Sequence, residues 1–470
     1  AFVLVYLRCI ALIFVPIMMA EILIGRRAQK NPIGALRTLA AEVGASPAWS
    51  LIGWLGVVTG FLILSFYSVV AGWALAYALQ ALVSGFAQIS ASQAAERFGS
   101  LLASPWQLVA WHSLFMLICF VVVARGVRRG IEWAVDWMMP LLFLLLLVLV
   151  AYAAWLGAFT EGFRFLFRPQ FADLTWESVL MALGQAFFTL SLGMGAIMVY
   201  GSYLSPRESI AGTTLVIVCT DTLVALLAGL MVFPIVFAIG LEPQAGPGLV
   251  FQTLPYVFGQ IPAGSLFGFM FFLLVVFAAL TSGISLLEPA TAYLVERYGW
   301  SRVTVAGGLA LVVWALGLAS VLSFNHWSEL YPLGFVEALR EKSFFDLLAG
   351  LTSNILLPLG GLGIAIFVGW KMTPAATAGT ASSAMTTAPR RDTVRGGELR
   401  RERAGLAAAV AVLAAAVLDA GMALWGTGLE ALAPAEALGG LALALLLASP
   451  LATLFGVVLG ALEPALSRAA

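Results

Sequence analysis

Residues 184–203 read GQAFFTLSLGMGAIMVYGSY within a long apolar run. Two hydroxyls, Thr189 and Ser191, are followed by Gly193 and Gly195, which interrupt what would otherwise be a continuous apolar helix. Hydrocarbon cannot satisfy a bare backbone, so such a break is tolerated only where protein or a cavity surrounds it. Half-helix ends and unwound carbonyls at mid-membrane depth can hold a small ligand and its coupling ions. The chemistry offered is reversible binding, as a transporter needs.

Asp221 is a second polar feature. It falls about 14 residues past Arg207, roughly 20 Å along a helix and near the middle of a core of about 30 Å. A carboxylate at that depth costs roughly 2.5–3.5 kcal/mol on insertion scales and usually faces a cavity or an ion. The alternative is a local cap with Thr220 and Thr222. Ala278, Thr281 and Ser282 stand at i, i+3 and i+4, one face of a helix. Two hydroxyls and a carbonyl there would suit a hard cation, though small and hydroxyl residues also let membrane helices pack closely. Tyr67, beside Phe66 in mid-span, either donates to a bound carboxylate or fills core. Glu288 before Pro289 and Glu21 after Pro16 read as structural hydrogen-bond partners, with a relay as the alternative for each.

These residues need a membrane-embedded frame. The 470-residue chain is 62% hydrophobic and 10% charged, against roughly 25% charged in soluble domains. It therefore reads as an all-α integral membrane protein. Its net charge of +0 gives no reason to expect a nucleic-acid partner. Cys9, Cys119 and Cys219 lie in apolar runs, and His112 and His326 are far apart in sequence, so neither a disulfide framework nor a metal cluster is implied.

Apolar windows predict spans near 1–25, 51–84, 107–124, 132–157, 177–203, 209–241, 266–295, 303–323, 344–370, 405–425 and 437–462, about eleven in all. Lys and Arg gather after the first, third, fifth, seventh and ninth spans, which makes those loops cytoplasmic. The first span then runs inward, so a chain with a cytoplasmic N-terminus needs one earlier span. The sequence also opens on Ala1 and is apolar at once, and it reads as lacking its true start. Residues 372–403, rich in Ala, Ser, Thr and Arg, read as a flexible cytoplasmic linker. Beyond them, 404–470 carries two Ala- and Leu-rich spans unlike the rest.

The motifs PIMMAEILIGRR from Pro16, SFYSVVAGW from Ser65, ARGVRRGIEWAVDWMMP from Ala124, the 184–203 stretch, DTLVALLAGLMVFP from Asp221 and FAALTSGISLLEP from Phe277 occur in this order. Over residues 1–371 the chain resembles a bacterial member of the neurotransmitter:sodium symporters. That resemblance implies ten core helices in two inverted repeats of five, the first helix of each repeat being broken. The spans here would be helices 2 to 10, with the first core helix missing. It further implies sodium-coupled symport of an amino acid into the cell by alternating access, with Na+ as co-transported ion. No organic cofactor or enzyme activity is expected, and the setting would be the plasma (inner) membrane of a bacterium.

By the same resemblance Thr189 binds a first sodium. Asp221 falls near that sodium's helix-7 ligand, its fixed charge replacing chloride. Ala278, Thr281 and Ser282 form half of a second sodium site. Tyr67 holds the substrate carboxylate, Phe188 is the lid, and Ser191 to Gly195, with Gly193 and Met194, forms the pocket floor. Tyr67 and Phe188 also serve as gates, with Asp346 as outer-gate acid and Glu296 as inner-gate acid. The missing helix would supply the remaining sodium ligands, carbonyls for the substrate amine and the arginine partner of Asp346. Gly283, Met194, Ile63 and Leu286 suggest an apolar pocket with room for a large hydrophobic or aromatic side chain. The alternative is a non-transporting amino-acid sensor or scaffold of the same fold, prompted by the linker and tail. An intramembrane enzyme lacks support, because HExxH, GxSxG and an acid paired with Asp221 are all missing from the sequence.

Overall fold

A computed structural model describes residues 2–372, apart from 170, 172–173, 206–207, 242–245 and 336–338. The expected linker beyond Met372, the C-terminal spans 405–425 and 437–462, and Arg207 lie outside the described residues. The described chain is helical and contains no strand. Helices α1 (Phe2–Cys9) and α2 (Val15–Ala28) run together through a π turn at Ile10–Phe14. Then come α3 (Pro32–Glu42), α4 (Ser50–Val83), α5 (Ala91–Ala103), α6 (Pro105–Ala124), α7 (Trp133–Trp155) and α8 (Phe159–Phe167). The second half holds α9 (Trp176–Thr189), α10 (Ala196–Tyr203), α11 (Ile210–Phe237), α12 (Leu254–Gln260), α13 (Gly264–Tyr298) and α14 (Arg302–Leu322). It closes with α15 (Phe344–Leu351) and α16 (Leu357–Ile366).

Eight of these stretches are long and apolar enough to cross a membrane. They match eight of the predicted spans; the remaining described one, 177–203, is split into α9 and α10. Local sequence explains where helices start. The Asn31 side chain accepts the Gly34 N–H at 2.9 Å, with Pro32 at the first helical position of α3. Ser90 and Gln93 close a capping box on α5, and Ser209, Ser301 and Ser343 cap α11, α14 and α15. Each cap satisfies amides that the first turn leaves unpaired.

The core is built around α4 and α13, which lie along each other, with α6 and α14 against α4 and α10 against α2. Lipid is as apolar as leucine, so close packing rather than water exclusion brings membrane helices together. Buried Gly53, Gly56 and Gly60 give α4 a face with no side chains. A Cβ on Gly53 would lie 2.8 Å from the Ile33 backbone. This face lets other backbones approach α4 closely where the α9–α10 segment is interrupted.

Candidate functional site

The interruption spans Leu190 to Gly195, between the end of α9 and the start of α10. Ser191, Gly193 and Gly195 have φ of 54°, 78° and 80°. Left-handed backbone costs an L-residue roughly 1–2 kcal/mol, which glycine avoids. Ser191 is the exception, and its hydroxyl-bearing residue stands half-buried at the break. Turn bonds satisfy part of the freed backbone: Ser191 N donates to Phe188 O at 3.3 Å and Leu192 N to Phe187 O at 3.2 Å. The Gly193 N–H donates instead to Oε1 of Glu21, at 2.7 Å. Glu21 is fully buried, so an acid read from sequence as merely structural is the acceptor that holds the break open. Gly360 of α16 and Gly56 of α4 close on the same segment. A Cβ on either would lie 2.6 Å and 3.1 Å, respectively, from the Gly193 carbonyl oxygen.

Thr189, the last residue of α9, meets a second polar group from α1: its Oγ1 is 3.3 Å from the Tyr6 hydroxyl. Asp221 of α11 reaches the Thr189 hydroxyl. Its Oδ2 is buried without a hydrogen-bond partner, as is Oγ1 of the adjacent Thr222. The orphaned Thr222 hydroxyl argues against the local-cap reading of Asp221. Three oxygens from three helices, one an unpartnered carboxylate oxygen, form the donor set that suits a hard cation.

Across the break, α13 presents Ala278, Thr281 and Ser282. Thr281 Oγ1 donates to the Ala278 carbonyl at 2.9 Å, which sets two oxygens side by side. Ala278 and Thr281 are half-buried and Ser282 is exposed, so this polar face is not packed away between helices. The Tyr67 phenol lies against Ser282. Its ring meets that of Phe188 at 6.3 Å and that of Phe115 at 6.4 Å between centroids. Tyr67 and Phe188 thus stand together.

Ile63, Met194 and Leu286 are buried. A Cβ on Gly60 would be 3.6 Å from both the Leu286 side chain and the Met194 carbonyl, so α4, α13 and the break converge on one apolar wall. Gly283 behaves differently from expectation. A Cβ there would meet Cys119 Sγ at 2.9 Å and the Phe115 ring at 3.0 Å. Its missing side chain lets α13 sit close to α6 and adds no room for a ligand.

The two expected gate acids are far apart in role. Asp346 is exposed and accepts from the Ser343 amide at 3.1 Å and the Ser343 hydroxyl at 2.8 Å, capping α15. Glu296 accepts from the Asn31 amide at 3.0 Å and from its side-chain amide at 2.5 Å, tying the end of α13 to the start of α3. A third acid, Glu288, is more deeply placed: it is fully buried, ion-paired with Arg302, and accepts from the Tyr203 hydroxyl at 2.8 Å. Arg302 also donates to the Val123 carbonyl at 2.8 Å. With Tyr200 bonded to Ser285 at 2.8 Å, the half-helix α10 is fastened to α13 at two points. Sequence gave no cue to Arg302 beyond loop charge. The only other signal for this network was one acid, Glu288, placed just before a proline in an apolar span.

The sodium:neurotransmitter symporter family model matches residues 86–328. The uncharacterized sodium-dependent transporter YhdH of Bacillus subtilis is 39% identical over 372 residues, covering 79% of this chain and 80% of that protein. An uncharacterized sodium-dependent transporter of Haemophilus influenzae is 34% identical over 381 residues, covering 78% of this chain and 80% of that protein. Among solved structures, MhsT in complex with L-phenylalanine superposes with a TM-score of 0.78 at 39% identity, covering 90% of this chain and 91% of that one.

Proposed function

This chain belongs to the sodium:neurotransmitter symporter family and is a sodium-dependent membrane transporter rather than an enzyme; we propose that it carries an amino acid with a hydrophobic or aromatic side chain into the cell, across the plasma membrane of a bacterium. The observation that carries this reading is the α9–α10 break, with the Tyr67–Phe188 ring pair and the unpartnered Asp221 Oδ2 beside it. The apolar wall of Ile63, Met194 and Leu286 supports an apolar cargo, as does the phenylalanine bound by MhsT.

In this mechanism the Tyr67 hydroxyl donates to the substrate carboxylate and Phe188 closes over the side chain. Ser191, Gly193 and Met194 form the floor, with Gly283 at its edge contributing backbone. Thr189 and Asp221 hold one sodium; the Ala278 carbonyl, Thr281 and Ser282 hold another. Two cations beside a substrate carboxylate and Asp221 neutralise charge that a dry site would otherwise penalise. Sodium then drives accumulation only because it stabilises the loaded, substrate-binding state more than the empty one. Each inward positive charge contributes about 2.3 kcal/mol per 100 mV, in addition to its concentration gradient. Asp346 and Glu296 are the outer- and inner-gate acids. Their present bonds, to Ser343 and Asn31, are ones that opening would exchange for others.

The test is uptake into proteoliposomes holding the purified chain, with an inward sodium gradient. Labelled phenylalanine, leucine and tryptophan should accumulate, and collapse of the gradient should abolish accumulation. Preferential uptake of glycine or serine would refute the cargo class. Saturable binding without flux would make the protein a sensor of the same fold.

A further inference from the structure

A cavity of about 350 Å³ lies between the ends of α4 and α6 that point away from the basic loops, walled on one side by α5. None of the residues assigned to the transport site lines it: the break, the ion-binding face of α13 and the Tyr67–Phe188 pair are absent from its lining, although α4 carries both Tyr67 and part of this wall. Arg97 is the one charged side chain among the described residues that line it. Its Nη1 is buried without a hydrogen-bond partner, and so is the hydroxyl of Tyr77, which lines the same cavity. The two groups are close enough to act on each other electrostatically. The phenol oxygen could accept from the guanidinium, but no hydrogen bond joins the two, so the buried Nη1 is left without an acceptor.

Gln80, Ser84, Ser100 and Gln107 also line the cavity, yet none of them bonds the buried Nη1. The described ion pairs are Arg27–Glu42 and Arg302–Glu288. Glu96 adjoins Arg97 in α5, but neighbours at i and i+1 do not face each other on a helix. Glu96 and Arg97 both line an adjoining, smaller cavity of about 250 Å³, but no ion pair joins them. Nor can the Tyr77 ring swing to a new partner. It is held by Phe272 at 5.1 Å and Phe251 at 5.3 Å, which fixes the hydroxyl where it is. The remaining wall includes Trp111, Leu101 and Leu79. A guanidinium with an unpartnered Nη1, a phenol beside it and a wall part apolar and part amide and hydroxyl is complementary to a carboxylate on an apolar body. The volume exceeds what a bare halide would fill and falls within the range of small-molecule sites.

We propose that this outer cavity binds an apolar monocarboxylate, with the carboxylate on Arg97 and Tyr77 and its apolar body against Trp111 and Leu101. The proposal does not depend on the cargo assigned to the transport site. It is tested by equilibrium binding of labelled phenylacetate to the purified full chain in sodium-free buffer, which leaves the sodium-dependent site unfilled. Saturable binding is expected, with no competition from phenylacetamide, which keeps the shape but loses the charge. Arg97→Gln should weaken binding roughly tenfold or more and Tyr77→Phe roughly threefold, with unchanged size-exclusion profiles and melting curves. Palmitate competing more strongly than phenylacetate would identify the bilayer as the source of the ligand, and the reverse would identify water; either result keeps a carboxylate site. Absence of saturable binding, equal binding of the amide, or wild-type affinity in a folded Arg97→Gln protein would overturn the proposal. If misfolding prevents use of that variant, the acid-to-amide comparison on the unaltered chain decides.

Discussion

Gly193→Ala puts the packing of the break under direct strain. Gly193 has φ of 78°, a backbone that costs an L-residue roughly 1–2 kcal/mol. The added Cβ would lie 2.5 Å from the Leu357 carbonyl oxygen and 3.3 Å from both the Leu357 carbonyl carbon and the Gly361 nitrogen. These are backbone atoms of α16 and cannot rotate aside. A carbon–oxygen contact settles at roughly 3.3 Å or more, so α16 must withdraw by about 0.8 Å or the break must deform. Overpacking of this kind costs about 1–3 kcal/mol, which with the backbone term gives about 2–5 kcal/mol. If the ligand needs the native break, even the lower figure weakens sodium-dependent phenylalanine binding about 30-fold. Scintillation-proximity binding at saturating sodium reads the affinity, and a melting curve on the same sample reads stability. Gly308→Ala is the control: no heavy atom lies within 4 Å of its Cβ, and it sits inside α14. Helix propensity predicts a gain of roughly 0.5–1 kcal/mol there. The reasoning fails if Gly193→Ala binds phenylalanine within twofold of the parent and melts as Gly308→Ala does.

Three further outcomes test the site. Thr281→Ala removes a hydroxyl beside the Ala278 carbonyl and should raise the half-saturating sodium concentration severalfold without loss of expression; an unchanged sodium curve would count against a cation on this face. Asp221→Asn should lower uptake or make it respond to chloride, because the fixed charge beside Thr189 is gone; uptake that is neither reduced nor chloride-sensitive would rule out that role. Glu288→Gln leaves Arg302 without its ion pair but retains an acceptor for Tyr203, and should destabilise the fold by about 3 kcal/mol. Pairing it with Tyr203→Phe in a double-mutant cycle should reveal non-additivity, because both changes disturb one network; strictly additive melting shifts would separate the two contacts.

Much of the site was legible because its residues are anomalous where they stand. Paired glycines in an apolar run cannot be explained by core packing, so the break followed from Gly193 and Gly195 themselves. Asp221 was conspicuous for the same reason. The partners were harder to read. Glu21 could be recognised as an acid out of place, but only packing of α2 against the interrupted segment shows that it accepts the Gly193 amide. Gly283 looked like empty space because a sequence records the absence of a side chain and not what fills the gap. Phe115 and Cys119 fill it. Asp346 matched a gate pattern while also completing a capping box with Ser343, a local bond available to any acid at that helical position.

By itself, the sequence determined that this chain lives in a membrane, that most of its spans run unbroken, and that one is interrupted by design. Those properties depend on local composition and on the inability of lipid to solvate a peptide group. The tertiary structure decided which groups meet: Thr189 with Tyr6 and Asp221, Tyr67 with Phe188, Glu288 with Arg302 and Tyr203, and which buried atom, Nη1 of Arg97, meets no acceptor. Whether a buried polar atom is paired depends on what comes within about 3 Å of it. That distance is fixed by the packing of helices remote in sequence, which no local pattern encodes.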